Sequence, residues 1–195
     1  MSDTETGAAA EPKLRADARR NRARILAVAG EAFGSEGLSV PVQEIARRAG
    51  VGTGTVSRHF PTKESLFEAI LLSRARQLTE EATQLLEEAD PGAAFFGFFT
   101  RLIAEGAANL GLAEALTGAG YDLDEAVGRD GVDPMRALAR LLIRAQAAGA
   151  VRRDVDAADV KALIGGCLAR AAAAPDQAAL DRMVSIARQG LESRP

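Results

Sequence analysis

The chain has 195 residues, 47% of them hydrophobic but only 4% aromatic, so it can form a packed core built largely from small side chains. No segment approaches the run of about 18 apolar residues that a membrane-spanning helix needs, and the single cysteine excludes an intramolecular disulfide framework. One histidine and one cysteine exclude most zinc sites, and a net charge of −3, taken alone, argues against binding to nucleic acid.

The charge is distributed unevenly along the chain. Residues 11–63 contain ten Lys or Arg against five Asp or Glu, a net charge of +5. Residues 64–195 contain fourteen against twenty, a net charge of −6. A basic block joined to an acidic remainder is the charge pattern expected of a DNA-binding domain attached to a separate body.

The N-terminal residues are polar and lack the apolar core of a signal peptide, so we expect a cytoplasmic protein with a disordered arm over residues 1–14. A helix is predicted over Ala16–Phe33, with an inner stripe of apolar residues. Its first half is crowded with arginines, and two roles are open for them: solvation of an exposed helix, or contact with DNA phosphates and the minor groove. They are Arg19, Arg20, Arg22 and Arg24.

Residues 40–67, VPVQEIARRAGVGTGTVSRHFPTKESLF, contain two short helical patterns separated by a glycine-containing turn. The first begins at Pro41, which suits the first position of a helix, and ends at Gly50, which suits a left-handed residue after a helix. The second runs from about Thr53, a residue type favoured at the N-cap, to His59. Two helices joined in this way are typical of a helix-turn-helix motif.

The outward side chains of this motif are hydrogen-bond donors, and we count no acid among them. Donors without acids suit phosphate oxygens and the acceptor edges of bases, which predicts contact with DNA. The alternative is that the arginines are merely solvated and that the turn merely connects two helices. The residues concerned are Gln43, Arg47, Arg48, Thr53, Thr55, Ser57, Arg58 and His59.

The run EIARRAGVGTGTVSRHFPTKESLFEAI at 44–70, preceded by RILAVAGEAFGSEGL at 24–38, strongly resembles the DNA-binding domain of the TetR family of bacterial transcriptional repressors. The resemblance is specific over the first third of the chain and only general beyond it. Family members contact bases from the second and third helices, which implies base contacts at Gln43, Thr53, Gly54 and Thr55. It also implies phosphate contacts at Thr55, His59 and Lys63.

Three positions depart from the family pattern. Ser57 stands where a tyrosine is usual, and Pro41 and Val42 stand where hydroxyl residues are usual. Phosphate binding at these positions is therefore expected to be weaker, and a neighbouring arginine could compensate for it.

A long helix is predicted from Lys63 to about Ala89, with Thr62 as its N-cap and Lys63 placed to bind a phosphate together with free backbone N–H groups. Helical patterns continue to the C-terminus, and no strand-like alternation occurs. The sequence therefore predicts an all-α protein with a helix-turn-helix domain over residues 15–62 and a ligand-binding and dimerisation domain over 63–195. The later helices are predicted over 93–110, 112–118, 134–149, 157–174 and 177–191.

The predicted helix over residues 93–110 carries four of the seven phenylalanines. They span more than half of the helix circumference and cannot all face one partner, so we predict that some line an apolar ligand pocket. Packing in the core is the alternative for each of them. The predicted pocket residues are Phe95, Phe96, Phe99, Leu102, Ile103, Tyr121, Leu138 and Leu142.

The predicted helix over residues 157–174 is small or apolar on nearly all sides and must be covered on most of them. A second copy of the chain, related by a two-fold axis, would supply the cover. The long helix from Lys63 could instead cover it within one chain. Cys167, on this helix, is expected to be a small buried hydrophobe.

The family resemblance implies a homodimer formed through the last two helices, with a ligand pocket in the body. The chain is thus predicted to be a transcriptional regulator that acts as a repressor. It would bind a palindromic operator in double-stranded DNA and be released by a small, largely apolar effector. A helix-bundle regulator controlled by a protein partner, without a small ligand, is the second hypothesis.

An enzyme is not predicted, because the only histidine lies in the helix-turn-helix motif and no catalytic set accompanies it. No catalytic residue, metal site, cofactor or membrane partner is expected.

Overall fold

The computed structural model describes residues 6–122, 132–174 and 176–193, with side chains from Ala16 onward. These parts of the chain are mainly helical, which confirms the all-α prediction, and none of their helices is long and apolar enough to cross a membrane. The predictions for residues 1–5 of the arm and 123–131 of the loop before Pro134 lie outside the described residues. The helices are α1 (Thr6–Glu36), α2 (Val42–Arg48), α3 (Thr53–His59), α4 (Lys63–Leu85), α5 (Pro91–Ala108), α6 (Leu110–Gly118), α7 (Pro134–Ala147), α8 (Ala157–Ala173) and α9 (Gln177–Leu191).

Contacts divide the chain into two compact units, referred to below as the head, which ends at Leu71, and the body, which begins at Leu72. The boundary lies inside α4, nine residues after the predicted one between residues 62 and 63. The start of α4 belongs to the head because the ring of Phe67 packs edge-on against that of Phe33 in α1, with centroids 5.0 Å apart. Such an aromatic pair stabilises by about 1 kcal/mol beyond the area that it buries.

The head is built from α1, α2, α3 and the first turns of α4 around one apolar core. Ile25 and Ala29 of α1, Ile45 of α2 and Val56 of α3 are completely buried, as the helical spacing predicted. Each fully buried aliphatic side chain of this size contributes about 1.5–3 kcal/mol.

The turn between α2 and α3 depends on a left-handed glycine. Gly50 has φ +62°, a conformation that costs glycine little, and this confirms its predicted role after the first helix. The caps differ from the prediction by one residue: Pro41 is the N-cap of α2, and Gly52, not Thr53, is the N-cap of α3. The Thr53 side chain is therefore not used for capping and remains exposed.

The first helix is longer at its N-terminal end than predicted. It begins at Thr6, ten residues before Ala16, so the prediction of a disordered arm is wrong for residues 6–14. The reason is that residues 8–10 are alanines, the best helix formers, and extending an existing helix adds one hydrogen bond for each residue fixed.

The body is organised around α5, which packs against α7 and α8, while α8 packs against α9. Phe95, Phe98 and Phe99 of α5 are completely buried at its centre. The approach between α5 and the chain after α7 is close, because a Cβ at Gly92 would lie 2.7 Å from the Cβ of Ala150. A side chain at Gly92 would therefore force the backbones apart.

Aspartate N-caps begin most of the body helices. Asp90 accepts a hydrogen bond from the N–H of Ala93, and Asp133, Asp156 and Asp176 cap α7, α8 and α9 in the same way. A cap of this kind is worth about 1 kcal/mol, and the negative charge also suits the helix N-terminus. Asp90-Pro91 thus starts α5.

Helix α4, which precedes α5, ends at Leu85, earlier than the predicted Ala89. Arg144 of α7 donates hydrogen bonds to the carbonyl oxygens of Leu86 and Glu88, the latter at 3.2 Å. These carbonyl groups, left without helical partners, are satisfied by a side chain from α7.

Candidate DNA-binding surface and the groove of the body

The ten residues predicted to contact DNA lie on α2, α3 and the first residue of α4, all within the head. Thr55, His59 and Lys63 are half-buried, and the other seven are exposed. The tight turn between the two short helices keeps α2 and α3 in contact, so these mostly exposed side chains belong to neighbouring elements. Together they are referred to below as the donor surface.

An acid lies next to the two arginines of α2. Glu44 accepts hydrogen bonds from Arg47 Nε and Nη2, at 2.8 and 2.7 Å, and from Arg48 Nε at 2.7 Å. Arg48 also pairs with Glu36 at the end of α1, with 2.9 Å between Nη2 and Oε2. The prediction of donors without acids is therefore wrong for these arginines, because residues three and four apart on a helix are neighbours.

These ion pairs remain ionised at neutral pH. Hydrogen bonds from Arg47 and then Arg48 hold the pKa of the Glu44 carboxyl at about 2, below its ordinary 4.5, and Arg48 also lowers the pKa of Glu36. A carboxyl whose pKa is lower in the folded state stabilises that state above the ordinary pKa. This contribution of Glu44 is lost only as the pH falls from about 4.5 towards 2.

We expect the substitution Glu44→Gln to strengthen binding to duplex DNA of random sequence by roughly three- to tenfold at low salt, because it releases the guanidinium of Arg47 for a phosphate and leaves Arg48 with Glu36 as its only acidic partner of the two. Fluorescence anisotropy with a labelled random duplex at several salt concentrations would measure this, together with a steeper salt dependence. Glu31→Gln is the control, since it changes the net charge equally at an exposed position of α1. Equal strengthening in both variants would show that only net charge matters.

Lys63 is engaged within the head. Its ammonium donates a hydrogen bond to the carbonyl oxygen of Leu38 and lies 5.6 and 5.8 Å from the ring centroids of Phe33 and Phe67. This arrangement fixes the start of α4 to the end of α1 and the connection that follows it. An ammonium has three N–H donors, so one bond to Leu38 leaves donors for a phosphate.

Lys63→Met is expected to lower the free energy of unfolding by about 1–2 kcal/mol, because it removes the ammonium from a carbonyl and two rings. We also expect weaker binding to all DNA sequences and a salt slope reduced by about one, as for the loss of one phosphate contact. Thermal or urea unfolding and anisotropy titrations would measure the two effects. Phe67→Leu is the control for the packing effect alone. An unchanged salt slope in Lys63→Met would contradict the phosphate contact and show that Lys63 has only a structural role.

The arginines of α1 are only partly available to DNA. The guanidinium of Arg22 lies 5.3 Å from the ring centroid of Phe60, and Arg20 pairs with Asp17. Arg24 donates a hydrogen bond to Asn21 at 2.9 Å. At least Arg22 therefore contributes to packing in the head, a role that its position in a basic run did not suggest.

The residues of the predicted pocket in the body are mostly buried. Of the eight predicted residues, the seven on α5 and α7 are buried, and only Tyr121 is exposed, at 37%. The phenylalanine rings pack against each other, with Phe95 and Phe96 centroids 5.1 Å apart. This burial favours the core alternative for the phenylalanines.

Open space is found on another side of α5, facing α9. Two adjoining openings of about 360 and 290 Å³ share Ala107, Gln177 and Leu180, and together they are referred to as the α5–α9 groove. Ile103 is the one predicted pocket residue that lines it. The polar residues of α9 that line the groove were not predicted from the sequence, although their spacing of three and four places them on one helix face. They are Gln177, Asp181, Ser185 and Arg188.

The outer face of α8 is exposed. Only Val160, Ile164 and Cys167 of this helix are buried, so α4 does not cover it within the chain, contrary to one of the two alternatives. Leu163 of α8 is 37% exposed, and Ile186 of the next helix, α9, is 66% exposed. The small residues on the face are Ala162, Gly166, Ala169 and Ala173.

Cys167 is buried, as predicted. Burial raises the pKa of its thiol, which reduces the reactive thiolate fraction. A packing role for this residue follows.

Two family models match the chain. The model described as "Bacterial regulatory proteins, tetR family" matches residues 25–70, and that described as "Transcriptional regulator SbtR-like, C-terminal domain" matches residues 90–193. An HTH-type transcriptional regulator of Staphylococcus aureus (strain USA300) is 41% identical over 54 residues, which are 27% of this chain. The match spans only 29% of that relative's length, and it is therefore limited to one part of it.

Solved structures are similar over most of the chain. A TetR transcription regulatory protein from Mycobacterium vanbaalenii is 45% identical with a TM-score of 0.73, over 92% of this chain and 99% of that one. A TetR transcriptional regulator from Streptomyces coelicolor is 34% identical with a TM-score of 0.73, over 89% of this chain and 99% of that one. The similarity extends through both the head and the body.

Proposed function

Because the chain belongs to the TetR family of DNA-binding transcriptional regulators, we propose that it acts as a homodimeric repressor that leaves a palindromic operator when a small ligand binds the body. The observation that carries the proposal is the donor surface of α2 and α3, which lies within residues 11–63, the stretch with a net charge of +5. Bacterial DNA lies in the cytoplasm, where the protein would act.

The outer face of α8 supports the dimer. Small residues at intervals of three and four let two helix backbones approach closely, and α9 adds an exposed apolar side chain, Ile186. A two-fold axis through α8 and α9 would bury this face against its own copy, as in an isologous interface. Two heads would then face one palindrome.

The donor surface supports binding in the major groove, with two heads spaced about 34–36 Å or a multiple of this apart. The exposed Gln43 side chain can bind adenine bidentately, and the threonine methyl groups of α3 can meet a thymine methyl. We expect Gln43→Ala to relax the choice of base at one position of the operator. Loss of a phosphate contact would instead weaken binding to all DNA sequences alike.

The continuity of α4 supports regulation from the body. This single helix begins in the head and continues in the body, so a change in the body could alter the spacing of two heads in a dimer. A ligand can do this only if it binds one spacing more tightly than the other, because equal affinities shift nothing.

A footprint of the purified protein on DNA upstream of its own coding region would test the proposal. We expect two protected half-sites related by a dyad, and one dimer bound per site as measured by ultracentrifugation. Protection of a single half-site, or no binding even in dilute salt, would contradict it.

Control by a protein partner is the second candidate, and the burial of seven of the eight predicted pocket residues favours it. A small molecule that raises the melting temperature and releases DNA would decide for ligand control. Release of DNA by a protein partner, with no response to small molecules, would decide for the alternative.

A further inference from the structure

We propose that the α5–α9 groove is the effector site, and that it takes a planar organic acid whose carboxylate meets Arg188 and whose far end donates a hydrogen bond to Asp181. The inference rests on the proposed ligand control of DNA binding. It places the site on the face of α5 that carries Thr100, Ile103 and Ala107, beside α9.

The size and walls of the groove suit a small flat molecule. The larger opening alone, at about 360 Å³, lies within the range of roughly 300–1,000 Å³ that is usual for ligand sites. On the α5 side the wall includes Ile103 and the short side chains of Thr100, Ala104 and Ala107, and on the α9 side it includes Leu180 and Val184. These side chains form a shallow, mainly apolar slot.

A positioned cation lies at one end of this slot. The guanidinium carbon of Arg188 lies 4.7 Å from the ring centroid of Phe96, and its Nε lies 3.5 Å from an Oε of Glu192. One face and one edge of the guanidinium are thereby held, and a ligand carboxylate would meet its terminal Nη groups. A planar guanidinium matches the geometry of a carboxylate, which it binds through two parallel hydrogen bonds.

An acceptor lies further along the same helix. Asp181 accepts a hydrogen bond from Gln177 Nε2 at 2.8 Å, and both residues line the groove. Arg188 lies seven positions after Asp181 on α9, which is about two helical turns or roughly 10 Å. A ligand that spans them needs an acid at one end, a hydroxyl or amino group at the other, and an apolar frame between.

The charge of the groove selects against more highly charged ligands. Arg188 is the only cation among the residues that line its two openings, and Asp176 and Asp181 also line it. A dianionic phosphate would have only one guanidinium to balance its two charges, and Glu192 already lies beside that guanidinium. A carboxylate carries one charge and can be bound by one guanidinium. The surface therefore fits a monoanion with a hydrogen-bond donor at its far end.

The test uses the full-length protein and three probes with one frame: 4-hydroxycinnamate, cinnamate, which lacks the hydroxyl group, and 4-hydroxycinnamyl alcohol, which lacks the carboxylate. Calorimetry would measure affinity, and anisotropy with operator DNA would measure release. We expect 4-hydroxycinnamate to bind most tightly and to release DNA. No saturable binding of this probe to the wild-type protein would overturn the assignment.

Ala104→Phe fills the slot from an exposed position of α5, and Ala108→Phe is its matched control on the same helix, at an exposed residue that does not line the groove. We expect at least tenfold weaker binding of 4-hydroxycinnamate in the first variant and unchanged binding in the second. Arg188→Met should weaken the binding of 4-hydroxycinnamate by about tenfold, as for loss of a charge-assisted bidentate pair. The binding of 4-hydroxycinnamyl alcohol should not change.

The outcomes separate this inference from the proposed function. Equal binding of the probe to Ala104→Phe and wild type, with operator binding intact, would overturn the groove site and leave the repressor proposal standing. A change of oligomeric state in Ala104→Phe without loss of probe binding would show that the groove is an interface, which also overturns the site. Absence of operator binding in the wild-type protein would instead contradict the proposed function.

Discussion

Ala169→Glu is expected to convert the dimer to monomers and to lower operator affinity by roughly 10²–10⁴-fold, because the second head then no longer binds as part of the same molecule. Ala169 lies on the exposed small face of α8, where the proposed two-fold axis would bring its side chain close to the same residue of a second copy. A glutamate there would bury two unpaired like charges, which close helix packing cannot accommodate.

Ultracentrifugation would measure the mass, and anisotropy with a palindromic and a half-site duplex would measure affinity. Ala93→Glu is the matched control, since it adds the same charge at an exposed alanine outside α8 and α9. We expect the half-site affinity of Ala169→Glu to equal that of the wild type. A variant that stays dimeric would place the interface elsewhere.

Phe99→Ala is expected to lower the free energy of unfolding of the body by about 3–5 kcal/mol, the usual cost of a large cavity in a core. Phe99 is completely buried and its ring stacks against that of Phe95, with centroids 6.3 Å apart. A residue that lined an open pocket would cost far less, because water or ligand already occupies such space. The experiment therefore tests whether the phenylalanine cluster is a core.

Urea unfolding followed by circular dichroism would measure the change. Ile143→Ala is the control: its side chain is 66% exposed on α7, and we expect a change within about 0.5 kcal/mol, as at other surface positions. A loss below about 1 kcal/mol for Phe99→Ala would restore the pocket interpretation.

The helices of the body were predicted closely from the sequence because their start signals are local. Asp133-Pro134 begins α7 and Asp156 begins α8 at the expected positions, and both depend on chemistry within one helical turn. The end of α4 was placed four residues too late, since the hydrogen bonds of Arg144 that accompany it come from another helix. Local signals do not contain that information.

In the head, one side-chain pairing was readable from the sequence and another was not. The spacing of Glu44, three and four residues from Arg47 and Arg48, was readable from the sequence, and it would have predicted the ion pairs had the acid been considered with the donors. The partner of Lys63, the carbonyl oxygen of Leu38, was not readable, because the two residues meet only when the chain folds back.

By itself, the sequence determined that the protein is helical, that its head is a helix-turn-helix unit with an excess of positive charge, and where most helices begin. These properties depend on periodicity, composition and caps, which act over a few residues. Only the tertiary structure decided that the phenylalanines of α5 are buried and that a groove opens between α5 and α9. Which side of a helix is filled depends on elements distant in the sequence, and a pattern of apolar residues on one helix does not distinguish a packed neighbour from a ligand.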